Sequence, residues 1–286
     1  MKTGHSLSQF SKKYLPLIKS PQTALLLVTG VSGFLSADAP LSGTTLMALV
    51  FSLFFAISGS TVLNMWYDHD IDARMDRTCL RPLPAGLISR AETLRLGTAL
   101  TTLGLGLAFI TAPLFGAVIL TGVVCDVVIY TLWLKRRSAW SIVWGGISGG
   151  MPVLAGRALA TGSIDRIGVL LAMAVLFWIP THIMTFNMRY LADYKAAGIP
   201  TFPSVYGFGV TRLAIALSSI LAAASITAAA YLTGATEGYL HLMAVLSAGL
   251  LLLAAVSNLR PSEQVNFALF KYASLFMLAV MVIIAL

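Results

Sequence analysis

Apolar residues fall into nine long blocks separated by short polar breaks, at 22–37, 44–66, 94–111, 114–134, 140–160, 167–190, 210–233, 239–257 and 266–286. Most are close to the ~20 residues that a helix needs to cross a hydrocarbon core at about 1.5 Å per residue. The pattern predicts an all-α, multi-pass membrane protein of nine transmembrane helices. The third and fourth blocks are parted only by a turn at Pro113. The nine spans take up the chain 1–286 as a single transmembrane domain, with no soluble domain left over.

Composition agrees with the pattern. The chain is 58% hydrophobic and 10% charged, whereas a soluble domain carries about a quarter charged residues. The mean hydropathy is +0.86. Lys and Arg number 19 against 11 Asp and Glu. In a soluble protein that excess would point to nucleic acid. Here it points to loop charges that fix topology, and no nucleic-acid partner is expected. Numbering the connections alternately puts every Lys and Arg on one side except Arg157 and Arg166. By the positive-inside rule the expected orientation is N-in, C-out. Residues 1–20 carry Lys2, Lys12, Lys13 and Lys19 without an apolar core ending at a small-residue cleavage site. They read as an amphipathic cytoplasmic lead-in on the membrane surface, not a signal peptide. Cys79 and Cys125 are too few for a disulfide framework, and both are expected as free thiols.

The charges cluster in two cytoplasmic loops, 68–93 and 189–209. In STVLNMWYDHDIDARMDRT (60–78), Asn64, Asp68 and Asp72 recur at i, i+4 and i+8. On a continuing helix they share one face. Carboxylate and amide oxygens suit Mg²⁺, which commonly uses one or two carboxylates plus substrate phosphates. Arg74, Arg77 and Arg81 follow at once, and guanidinium groups hold phosphate oxygens bidentately. Ionisable groups at a membrane junction are costly and default to function. In FWIPTHIMTFNMRYLADYKAAGIPTFP (177–203), His182, Arg189 and Asp193 are 7 and 4 apart, so one continuous helix would align them. Lys135, Arg136 and Arg137 cap the fourth block on the same side. Arg90, Glu92 and Arg95 read as a solvated face. Pro152 among the glycines of GGISGGMPVLAG (145–156) predicts close helix approach within the membrane.

These residues carry a resemblance. The chain resembles the UbiA superfamily of intramembrane prenyltransferases, and within it most closely the protoheme IX farnesyltransferase (heme O synthase) group. The resemblance rests on YLPLIKSP, NMWYDHDIDARMDRTCLRPLPAG, YTLWLKRRSAWSIVWGGISGGMPVLAG and DYKAAGIPTFP, over roughly residues 14–210. It implies a helix bundle around a central cavity open to lipid. It implies Mg²⁺ bound with diphosphate at Asn64, Asp68, Asp72 and Asp193. It implies diphosphate contacts from Arg77, Arg81, Lys135 and Arg136, joined by Lys19, and Tyr130 near the reacting end. His182 becomes the candidate for contacting heme, with Arg189 beside it. The donor would be farnesyl diphosphate and the acceptor heme b. The host would be the plasma membrane, with a heme A-forming enzyme or oxidase-assembly factors as partners. Aromatic residues such as Trp66, Tyr67, Trp144, Phe177 and Trp178 are available to face an allyl cation.

The sequence departs from that group at Arg157, Ile183, Met184 and Ala192, and in IPTFP. These departures are expected on the acceptor side. A hydroxybenzoate, naphthoate or glyceryl phosphate acceptor is the alternative. An ion-coupled transporter fits less well, because the acidic sites lie at helix ends on one face instead of at mid-membrane.

Overall fold

The computed structural model describes residues 13–37, 40 and 42–286. Lys2, Lys12 and most of the expected lead-in lie outside the described residues.

Every regular element among the described residues is helical. After a short 3₁₀ turn, Leu15–Ile18, the long helices are α1 Ser20–Leu35, α2 Gly43–Tyr67 and α3 Arg90–Thr111. Then comes α4, which begins as Pro113–Val123 and continues as a π-helix over Val124–Leu134. The rest are α5 Ser141–Thr161, α6 Arg166–Arg189, α7 Phe202–Leu232, α8 Glu237–Leu259 and α9 Glu263–Ile284. Two short helices, His69–Asp72 and Leu191–Ala196, lie in the charged loops. Among the described residues, seven helices are long and apolar enough to cross a membrane, and α1 and α5 are not among them. The protein is a multi-pass membrane protein.

Local sequence explains the ends. Ser89 caps α3 by accepting the Glu92 N–H at 3.1 Å, and Asp165 caps α6 by accepting that of Gly168 at 2.8 Å. Pro113 starts α4 where a missing N–H costs nothing. Thr201 and Ser204 form a capping box at the start of α7, and the helix kinks at Gly207, where φ is +77°.

Helices next to each other in sequence pack against each other in space, and α1 and α9 close the bundle by touching. The α1–α5 contact is the tightest. A Cβ at Gly156 would sit 1.9 Å from the Gly30 carbonyl, and one at Gly33 would sit 2.0 Å from that of Val153. Only glycine permits this approach, as the glycine-rich run in α5 predicts. Inside the bundle is a cavity of about 760 Å³, walled by α1, α2, α4, α5, α6 and α9.

Candidate active site

The charged end of the cavity is built where α1, α2, α4 and the 68–93 loop converge. Helix α2 stops at Tyr67, yet the Asp68 N–H still bonds to the Asn64 carbonyl (3.0 Å), and that of Asp72 to the Asp68 carbonyl (2.8 Å). The i, i+4, i+8 alignment therefore survives the end of the helix. Asn64, Asp68 and Asp72 are all buried.

Each meets a cation, two of them from distant parts of the chain and one from the same loop. Lys19 donates to Asn64 Oδ1 at 3.5 Å, Lys135 pairs with Asp68, and Arg81 pairs with Asp72 at 2.8 Å. Lys19 is the one non-glycine residue with positive φ (45°) among the described residues. Such strain marks functional positions, and here it turns the lysine into the cavity between the 3₁₀ turn and α1. Burial, with the Arg81 and Lys135 charges behind it, pulls Lys19 down to about 8. Burial works against Lys135 as well, but Tyr130 and Asp68 hold it above its ordinary value. Asp68 Oδ1 is buried without a hydrogen-bond partner, with the Arg136 guanidinium 3.8 Å away. An orphaned carboxylate oxygen among cations is a position a divalent ion satisfies.

Lys19, Asn64, Asp72, Arg77, Arg81, Tyr130, Lys135 and His182 all line the one cavity. Arg77 reaches it inside an aromatic cage, with its guanidinium 4.8 Å from the Phe186 ring, 5.6 Å from Tyr190 and 5.8 Å from Tyr194. The cage ties the first charged loop to the end of α6. Tyr130 leans on Gly145, where a Cβ would lie 2.7 Å from its ring. His182 is stacked between Trp178 (4.9 Å) and Phe270 (4.6 Å), and its Nδ1 is 3.1 Å from the Ser274 hydroxyl. Trp178 itself is tied to α9 through the Ala273 carbonyl at 2.7 Å.

Other residues singled out from the sequence stand elsewhere. The helix carrying His182 ends at Arg189, Tyr190 leaves helical geometry, and a new short helix carries Asp193. The single stripe from His182 through Arg189 to Asp193 is therefore broken. Arg189 is exposed, stacks on Phe267 (4.1 Å) and lies 3.6 Å from Glu263. Neither Arg189 nor Asp193 lines the cavity. Arg136 also turns away, gripping Asp70 at 2.7 and 2.8 Å and the Tyr67 carbonyl at 2.8 Å. That grip holds Asp70 down at about 2. Of the five aromatics, Trp178 lines the cavity, while Trp144 is an exposed surface residue. Glu92 is not merely solvated: Tyr14 donates to it at 2.6 Å and Lys13 pairs with it at 2.9 Å, fastening the chain before α1 to α3.

Arg157 corrects an expectation too. It does not line the cavity. It is buried at the opposite end of α5, where Nε donates to both Asp165 oxygens (2.8 and 2.9 Å). Its Nη1 donates to the Ser36 carbonyl (2.7 Å) and hydroxyl (2.8 Å). It clasps α1, α5 and α6. Arg157 holds Asp165 below the usual carboxylate range.

Sequence reasoning passed over Asp126. It lines the cavity from the π-helical part of α4 and accepts the Ser60 hydroxyl at 2.6 Å. The available signals were an ionisable residue inside an apolar run and, once seen, the π-helix, which is rare and gathers at functional sites. No group of three or more His, Cys, Asp or Glu side chains forms a metal cluster among the described residues. A divalent ion at Asn64, Asp68 and Asp72 would need oxygens from its substrate, as Mg²⁺ ordinarily does.

Comparison with known proteins bears on the family and the fold. The UbiA prenyltransferase family model matches residues 25–280. A protoheme IX farnesyltransferase of Thermofilum pendens is 37% identical over 270 residues, which is 93% of this chain and 95% of that protein. One of Korarchaeum cryptofilum is 40% identical over 207 residues, 72% of this chain and 70% of that protein. Among solved structures, a UbiA homolog from Archaeoglobus fulgidus bound to DMAPP and Mg²⁺ superimposes with a TM-score of 0.73 at 17% identity, covering 96% of this chain and 99% of that one.

Proposed function

From the premise that the chain belongs to the UbiA prenyltransferase family, we propose that it transfers a farnesyl group from farnesyl diphosphate to a vinyl group of heme b, giving heme O. The family makes the protein a prenyltransferase. The acceptor rests on relatives that bear the protoheme IX farnesyltransferase name at 37–40% identity. The observation that carries the donor half is the meeting of a cation-rich mouth with an apolar cavity of about 760 Å³. That arrangement suits a diphosphate with an isoprenoid tail.

In this reading the whole chain is one nine-span domain, N-in and C-out, in the plasma membrane. Mg²⁺, held by Asn64, Asp68 and Asp72, would neutralise the leaving diphosphate; Asp193 is assigned to that set by resemblance alone. Lys19, Arg77, Arg81 and Lys135 grip the diphosphate oxygens and stabilise charge as the bond to the allylic carbon breaks. Arg136 acts one step back, bracing the loop through Asp70. The tail lies in the apolar cavity, where exclusion of water protects the cation. Tyr130 sits between mouth and cavity. His182, held by Trp178, Phe270 and Ser274, faces the acceptor. No protein nucleophile is required. A heme A-forming enzyme or an oxidase-assembly factor would receive the product.

The test is prenyl transfer by the purified protein in liposomes with farnesyl diphosphate, Mg²⁺ and heme b, reading extracted hemes by mass. A hydroxyethylfarnesyl heme that vanishes with EDTA supports the reading. Prenylation of an aromatic or glyceryl phosphate acceptor instead overturns the acceptor and keeps the donor site.

A further inference from the structure

Helices α2 and α4 are joined by three side-chain rungs. Lys135 pairs with Asp68, the Asn64 amide donates to Thr131 Oγ1 at 2.8 Å, and the Ser60 hydroxyl donates to Asp126 Oδ2 at 2.6 Å. The α2 members are four residues apart, so each rung lies about 6 Å below the last. On α4 the spacing is four and five residues. The π-helical i to i+5 pattern makes the five possible, and the Thr131 hydroxyl donates back to the Asp126 carbonyl at 2.7 Å.

The upper two rungs carry Asp68 and Asn64 of the diphosphate mouth. The third sits one turn deeper, in the cavity wall, on the side toward which a tail hanging from that mouth extends. The two carboxylates in the cavity wall differ in their partners. Asp72 is paired with Arg81, whereas Asp126 takes a neutral serine hydroxyl and is in no ion pair among the described residues. Lys19, the cation whose charge it feels, is committed to Asn64. A carboxylate inside an apolar span is expensive and is kept for function. One without a direct ion-pair partner has its negative charge available to a substrate cation.

We propose that Asp126 is a catalytic residue that faces the allylic first carbon of the donor and stabilises the positive charge formed there. As the bond from that carbon to the bridging oxygen breaks, its electron pair leaves with the diphosphate. The carbon becomes an allyl cation opposite the Asp126 carboxylate. The acceptor's π electrons then close the new carbon–carbon bond, and the positive charge passes to the acceptor; on a heme vinyl group it is discharged by addition of water and loss of a proton, which leaves the hydroxyl. Asp126 forms no bond itself, and Ser60 fixes its orientation. The inference rests on the donor half of the proposed function and not on the acceptor.

The experiment measures ionisation without any acceptor. Farnesyl diphosphate labelled with ¹⁸O at the bridging position is incubated with Mg²⁺ and the protein in liposomes, and scrambling of the label into non-bridging positions is followed. Asp126→Asn keeps the shape and can still accept from Ser60. It is expected to lower scrambling and diphosphate release by about 100-fold, while binding unreactive farnesyl thiodiphosphate within about twofold of the wild type. Asp126→Glu is expected to recover part of the rate, and Ser60→Ala to lower it several-fold. An Asn variant that scrambles within about threefold of wild type overturns the inference, and so does one that loses analogue binding together with ionisation. A wild-type protein that ionises no donor overturns the donor reading and this inference with it. Scrambling without a heme product overturns only the acceptor.

Discussion

Two buried Lys/Arg–Asp assemblies hold helix ends in this bundle, and they differ in what they leave unfinished. At one end Arg157 spends its donors on both oxygens of Asp165 and on the Ser36 carbonyl and hydroxyl, away from the cavity. At the other end Lys19, Arg81 and Lys135 meet Asn64, Asp72 and Asp68 beside the cavity. There Asp68 Oδ1 is left without a hydrogen-bond partner, and a lysine is depressed to about 8. A clasp satisfies its groups; a binding site keeps charge in reserve. Buried charge alone did not separate the two, because Asp68 and Arg157 are both almost inaccessible.

The comparison breaks most sharply at Asp68. Asp68→Asn keeps the size of the side chain but removes the charge from the mouth, and prenyl transfer is expected to fall about 1,000-fold. Initial rates with farnesyl diphosphate and Mg²⁺ check this. The clasp responds in the opposite currency. Arg157→Met leaves the Asp165 carboxylate without its cation and is expected to cost about 3 kcal/mol of stability. Transfer per folded molecule should stay within about threefold, as measured by denaturation in detergent beside activity of the folded fraction.

A smaller effect follows pH. Lys19 sits near 8 instead of 10.5, so it is charged below about pH 8 and neutral above. A diphosphate needs the charged form, and KM for the donor is expected to rise by up to about tenfold per unit above pH 8. Lys19→Arg, which stays charged, should flatten that limb. The smallest effect belongs to Arg189. It is exposed and 3.6 Å from the well-exposed Glu263, so Arg189→Gln should change stability by no more than about 0.5 kcal/mol and leave rates within twofold.

The all-α fold and the shared face of Asn64, Asp68 and Asp72 were legible because they obey short-range rules. Apolar block length predicts helices, and the four-residue spacing of Asn64, Asp68 and Asp72 predicts a shared face that persists even past the end of α2. His182, Arg189 and Asp193, 7 and 4 apart, are also spaced to share a helix face and yet fail to align, because Tyr190 leaves the helix. Nothing in spacing alone announces that break. Arg157 read as an acceptor-side departure, since its partners, Asp165 and Ser36, are brought to it only by the packing of α1 against α5 and the turn into α6. Asp126 was missed because attention went to dense charge at helix ends, and a lone aspartate within VVCDVV gives a weaker signal. Its partner Ser60 is 66 residues away in sequence.

The most direct test is calorimetric binding of farnesyl thiodiphosphate, with and without Mg²⁺, to the wild type, to Asp68→Asn,Asp72→Asn and to Arg157→Met. Binding that needs Mg²⁺, disappears in the double variant and survives in Arg157→Met is the expected result. Equally tight binding without a divalent cation, or in the double variant, would contradict the assignment of the charged mouth as the diphosphate site.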